Sequence, residues 1–152
     1  MAIALDEIVA DMSAADLEDR KEILIDFARS LPALPERYAA LKDGAHRVHE
    51  CQSPVFLFVE VAADRVTIHA DAPIEAPTVR GFVSLLVEGL RGATVADALA
   101  LRNDLLVRLG LQEILGMLRM NGLNGVLNRL KAEVARAAAS GSSSLPPHGD
   151  DS

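Results

Sequence analysis

The stretch His46-Arg47-Val48-His49-Glu50-Cys51-Gln52-Ser53-Pro54 brings the chain's single cysteine together with two of its four histidines. Three kinds of chemistry fit such a cluster. Cys51 could be a small packed hydrophobe, since free cysteine is among the most buried residue types. With His46 and His49, and a fourth ligand from Glu50, His69 or Asp71, it could hold zinc, which thiolate and imidazole suit. As a nucleophile it would act through the thiolate, only a few per cent of an unperturbed thiol at neutral pH. Positive charge on Arg47, His46 or His49 favours that form, and Glu50 opposes it.

Spacing and partners weigh on each reading. Structural zinc sites pair two close ligands with a second close pair, a pattern absent here, and in a strand His46 and His49 would point to opposite faces. A Cys-His hydrolase needs a held base and an oxyanion hole, and no such constellation is legible. Without a second cysteine the chain can form no internal disulfide and run no dithiol cycle of its own. A working thiol here must exchange with another molecule.

The elements that position the cluster follow from composition and period. A chain of 152 residues, half hydrophobic and a quarter charged, predicts one globular domain. We place it at residues 1–138. The Ser-, Pro- and Gly-rich residues 139–152 predict a disordered tail. A net charge of -7, with 3% aromatics and no Trp, argues against nucleic acid and against an anionic membrane surface. No apolar run is long enough to span a bilayer, and the first residues lack the basic region and apolar core of an export signal. The expected location is the cytoplasm, where a thiol stays reduced.

Helical spacing of Leu17, Leu24, Phe27 and Leu31 predicts a first helix capped by Ser13, with the acids Asp16 and Glu18 early in it, and ended by Pro32 and Pro35. A short helix over 36–42 follows, with Gly44 as its cap. Residues 54–61 then alternate with Val55, Leu57, Val59 and Val61 on one face and Phe56 and Phe58 on the other, a strand covered on both sides at its start. A turn at 62–64 leads to a half-exposed strand over 65–70, and residues 46–49 supply a possible third strand. Helices are expected from a Thr78 cap to about Leu90, from a Thr94 cap to Leu101, over 104–109 and 111–118, and finally from Asn121. The predicted class is α+β, a small antiparallel sheet of about three strands with helices packed against it. Cys51 falls in the loop ahead of the doubly apolar strand, with Pro54 stiffening its exit.

Four ordered segments carry a family resemblance: Cys51-Gln-Ser-Pro-Val-Phe56, Glu75-Ala-Pro-Thr-Val-Arg-Gly-Phe82, Leu109-Gly-Leu111 and Leu118-Arg-Met-Asn-Gly-Leu123. In this order the chain resembles the SufE family of sulfur-acceptor proteins, from about Ser13 to Arg136. The resemblance implies a SufE/IscU-like fold. It also implies a sulfur carrier and desulfurase activator rather than a stand-alone enzyme. Cys51 would accept persulfide sulfur from a SufS-like cysteine desulfurase, stimulate that enzyme, and deliver sulfur to an iron-sulfur scaffold. The implied cofactor, pyridoxal phosphate, belongs to the desulfurase, and no cofactor or metal is expected on this chain.

Gln52, Ser53 and His49 are candidate binding residues around the thiol. Arg119 is a candidate for stabilising a persulfide anion or meeting the partner; Glu75 and Arg80 are candidates for pairing with each other or with the partner, with a structural role favoured for both. Monomer and homodimer are both open. An adaptor without chemistry, or an IscU-like scaffold or zinc module using His46, His49 and Cys51, is the alternative, although a scaffold typically uses three cysteines. Glu50 and Phe56 depart from the Gly and Trp of many members, and Glu75-Ala76 stands where many have Asp-Ala.

Overall fold

A computed structural model describes residues 4–44 and 46–140. Its first helix, α1 (Ala4–Ala14), lies ahead of the predicted start: Leu5, Val9 and Met12 form a buried stripe. Ser13 is therefore inside α1, and its hydroxyl donates to the Arg108 carbonyl rather than capping a helix. The cap of α2 (Leu17–Ser30) is Asp16, whose carboxylate accepts from the Asp19 amide at 2.9 Å. Pro32 and Pro35 follow its end as expected, and α3 (Glu36–Ala39) is one turn long, closed by Ala40 and not by Gly44.

Two strands form the sheet among the described residues: β1 (Phe56–Ala62) and β2 (Arg65–Asp71), antiparallel, with Val59 opposite Ile68. Ala63 and Asp64 close the hairpin with φ of 51° and 64°, the left-handed geometry that a two-residue hairpin turn demands. The predicted third strand is reduced to one bridge between Arg47 and Phe56. The chain leaves that ladder at once because Cys51 and its neighbours turn away to pack on a helix.

Leu57, Phe58 and Val59 are all buried, so β1 is covered on both faces at its start. Val66, Ile68 and Ala70 of β2 are buried while Arg65 and Thr67 are exposed, matching the half-exposed strand. The second face is closed by aromatic stacking. Phe58 lies between Tyr38 (ring centroids 4.6 Å apart) and His46 (5.0 Å).

Helix α4 (Pro77–Gly89) packs on β2, α1 and α2 through its buried Val79, Phe82, Val83 and Leu86. Ala76 takes its cap position without a side-chain bond, so Thr78 lies inside the helix rather than capping it. Helix α5 (Val95–Leu99) has a capping box between Thr94 and Asp97. Then come α6 (Leu105–Arg108) and a 3-10 turn at Leu111–Glu113, which stops short of the predicted 111–118 helix. The last helix, α7 (Met117–Ser140), starts four residues before Asn121 and runs along β1. Residues 139 and 140 close α7, and the rest of the expected tail lies outside the described residues.

Candidate active site: the cysteine loop

The loop that carries Cys51 is closed at its base by the sheet. The Val48 amide donates to the Val55 carbonyl at 2.8 Å, and the Leu57 amide to the His46 carbonyl at 3.4 Å. Within it the Cys51 amide donates to the Val48 carbonyl at 3.3 Å, and the Arg47 guanidinium reaches over to the Gln52 carbonyl at 3.2 Å. Arg129 of α7, itself paired with the buried Glu133, donates to the Arg47 carbonyl at 3.1 Å. A turn with this many internal bonds is a formed unit.

Cys51 is buried, only 4% exposed. Across from it lies Gly122 of α7: a Cβ built there would lie 3.5 Å from Cys51 Cα and 3.6 Å from its Sγ, an ordinary contact. Gly122 lies inside α7 and not in a turn. Beside the thiol is a pocket of about 110 Å³ bounded by the loop residues Glu50, Gln52 and Ser53, by Val79 of α4, and by Leu118, Arg119, Asn121 and Gly122 of α7.

Arg119 thus shares the pocket with Cys51, but from a helical position and with its guanidinium donating to the Thr78 hydroxyl at 3.1 Å. The rim carries uncovered apolar side chains: Met117 is 78% exposed and Leu118 is 63% exposed. Asn121, Val79 and Leu118 are site residues that the sequence reading does not single out. Leu118 and Asn121 fall in the segment 118–123 that carries part of the family resemblance, which is the signal that could have found them.

The other candidates are placed elsewhere. Arg80 is spent on structure: it donates to the Ala28 carbonyl at 2.8 Å and to the Ala72 carbonyl at 2.5 Å, and lies 3.7 Å from the Asp71 carboxylate. Glu75 is exposed and makes no ion pair with it. Arg80 thus has the structural role favoured from the sequence, while the alternative pairing with Glu75 is replaced by Asp71 and two carbonyls.

His46 is buried against Phe58 with its Nδ1 at 2.9 Å from Asp43, and the exposed His49 meets the Gly44 carbonyl through Nε2 at 2.6 Å. Both imidazoles have partners other than the thiol. His49 is absent from the pocket wall. Among the described residues no group of three or more His, Cys, Asp or Glu side chains is placed to hold a metal ion, and no helix is long and apolar enough to cross a membrane.

Beneath the loop, on the sheet's second face, Tyr38 donates to Glu60 at 2.5 Å, Arg37 pairs with the same carboxylate, and His69 lies 3.4 Å away. Burial pushes the Glu60 carboxyl up, but the bonds from Tyr38 and Arg37 and the charge of His69 outweigh it and hold it below its ordinary 4.5. Burial, then the bond to Glu60, raises the Tyr38 hydroxyl, so it stays a donor.

Fold and site define a small α+β domain that presents one enclosed thiol on a preformed loop, with an arginine and an apolar rim beside it. The chain belongs to the SufE family: the family's model, an Fe-S metabolism associated domain, matches residues 6–134. A SufE-like protein of Mycobacterium tuberculosis is 40% identical, over 88% of this chain and 92% of its own length. The cysteine desulfuration protein SufE of Plasmodium falciparum is 25% identical over 74% of this chain and 45% of its own length. The solution structure of a hypothetical protein from Thermus thermophilus superposes with a TM-score of 0.79 at 32% identity, covering 91% of this chain and 99% of that one.

Proposed function

We propose that this protein takes sulfur from the persulfide of a cysteine desulfurase onto Cys51, stimulates that enzyme, and hands the sulfur on for iron-sulfur cluster assembly. The observation that carries the reading is the single enclosed thiol on a preformed loop beside a small pocket that Arg119 helps line. The Cys51 thiolate attacks the outer sulfur of the partner's persulfide, and the partner's own cysteine leaves as a thiolate. One S–S bond forms as one breaks, and the Cys51 proton is released. No oxidant is consumed, and the pyridoxal phosphate stays with the desulfurase.

Burial of Cys51 fits this role. A persulfide held on an open surface would be lost to cellular thiols by the same exchange reaction. In-line attack needs the sulfur exposed, so the loop must lift when the partner docks. Met117 and Leu118 at the rim offer apolar contact for that docking, and Arg119 offers a charge-assisted bond to a persulfide anion or a carboxylate.

The test combines the protein, a desulfurase and cysteine and reads the intact mass. Wild type gains about 32 Da per sulfur on the cysteine oxidation scale, and Cys51→Ser gains nothing and no longer stimulates the desulfurase. Full stimulation by Cys51→Ser, with no sulfur adduct on wild type, would leave only an adaptor.

A further inference from the structure

The loop's hydrogen bonds and its packing point in different directions. Three of the residues at 49–53 bond to the loop itself or to the chain just ahead of it: His49 to Gly44, Cys51 to Val48, and Gln52 to Arg47. None of the five bonds to α7 among the described residues. Arg129 of α7 holds the base of the loop through the Arg47 carbonyl, but the tip itself meets α7 by packing, and the tightest point is not at the cysteine.

That point is Gly125, one turn after Gly122. A Cβ there would fall inside the van der Waals sphere of Glu50 Cβ, 3.1 Å from its Cγ and 3.6 Å from its Cα. Glu50 Cβ is anchored to the backbone, so turning the side chain gives no relief and the loop itself would have to shift. Glycine in a helix interior is disfavoured against alanine. Gly125 is nonetheless buried in the middle of α7, where its missing side chain is the space that Glu50 fills.

We propose that Glu50 and Gly125 are a matched pair of positioning residues. Gly125 is the socket for the Glu50 Cβ, the fit holds Cys51 in its enclosed position, and loss of the fit releases the loop as an intact unit. This deepens the sulfur-acceptor reading and draws its meaning from it, but the fit itself is read without any sulfur donor. The pairing is steric, because the clash of a side chain at 125 is with the Glu50 Cβ and not with its charge. If residue 50 were glycine, the nearest of its atoms to a Cβ at 125 would be the Cα at 3.6 Å, an ordinary contact.

The experiment is native-state alkylation of Cys51 by iodoacetamide in the full chain, followed by intact mass, as a double-mutant cycle. With Glu50 present, Gly125→Ala is expected to speed alkylation roughly tenfold, equivalent to about 1.4 kcal/mol. With Glu50→Gly as background the same Gly125→Ala change is expected to leave the rate within about twofold. With Glu50→Ala as background, which keeps Cβ and drops the charge, the tenfold effect is expected to persist. Gly122→Ala, whose Cβ meets Cys51 only at ordinary contact distance, serves as the control for glycine loss in α7.

Equal factors in the wild-type and Glu50→Gly backgrounds, no acceleration by Gly125→Ala, or equal acceleration by Gly122→Ala would each overturn the pairing. Should Gly125→Ala unfold, recovery of the fold in the Glu50→Gly/Gly125→Ala protein supports it, and failure to recover overturns it. Absence of a sulfur adduct on wild type with the cycle intact would sink the sulfur-acceptor reading and leave the pair standing.

Discussion

Replacing Tyr38 with Phe removes one hydroxyl and leaves the ring where it stacks on Phe58. The hydroxyl donates to Glu60 at 2.5 Å from a residue that is 1% exposed, so no water replaces it directly. A hydrogen bond to a charged group contributes about 1.5–3 kcal/mol. Glu60 keeps Arg37 and part of its solvent exposure, which selects the low end, about 1.5 kcal/mol, or about 3–6 °C in Tm for a domain of this size.

The effect carries a pH signature. Glu60 has a folded-state pKa below its ordinary 4.5, so the unfolded chain takes up the proton first on acidification. Its contribution is full above the unfolded value and is lost as pH falls through the folded one. Wild type and Tyr38→Phe should therefore differ at neutral pH and converge once Glu60 is protonated, and Glu60→Gln should flatten this part of the acid limb. Thermal melts by circular dichroism from about pH 7 down to about pH 3 measure it. A Tyr38→Phe protein within about 1 °C of wild type at neutral pH, or a gap that persists undiminished in acid, would refute the account of the Tyr38–Glu60–Arg37 cluster.

Arg20 ties the α1–α2 junction to the turn after α6, donating to the carbonyls of Met12, Ala15 and Gly110 and pairing with Glu113 at 2.5 Å. Arg20→Ala should cost about 3 kcal/mol in denaturant melts, and Arg20→Lys should recover less than half of that, since one ammonium cannot span the same acceptors. Glu at Met117 and Leu118 should change stability by no more than about 0.5 kcal/mol, because both are exposed, while weakening desulfurase binding roughly tenfold in a titration. Arg119→Ala should slow sulfur loading of Cys51 roughly tenfold at unchanged Tm, with Lys a poor substitute. A loading rate equal to wild type would confine Arg119 to its bond with Thr78.

Much of the site is legible in the sequence because its signals are local. Cys51 between polar neighbours ahead of a doubly apolar strand announces a loop, and the loop is there. The Thr94 cap, the hairpin and the α4 stripe each depend on residues within a few positions of one another. The misread elements are those where a distant partner decides. Residues 46–49 could pair as a strand, yet they turn away after one bridge because the next residues find a better surface on α7. Asp16 reads as an early acid of a helix begun at Ser13, although α1 has its own stripe at Leu5, Val9 and Met12. Arg80 reads as structural and is so, but its acceptors are two distant carbonyls and Asp71 instead of the nearby Glu75.

From the sequence alone come the single thiol, the α+β class and the order of the family's segments, since these are properties of residue identity and period. Enclosure of that thiol is decided only in three dimensions. Glu50 and Gly125 lie in distant parts of the chain, and neither carries any sign of the other in the sequence. Their fit exists because α7 runs along β1 and brings two glycines under the loop. A missing side chain becomes informative only when the atoms that fill its place are known.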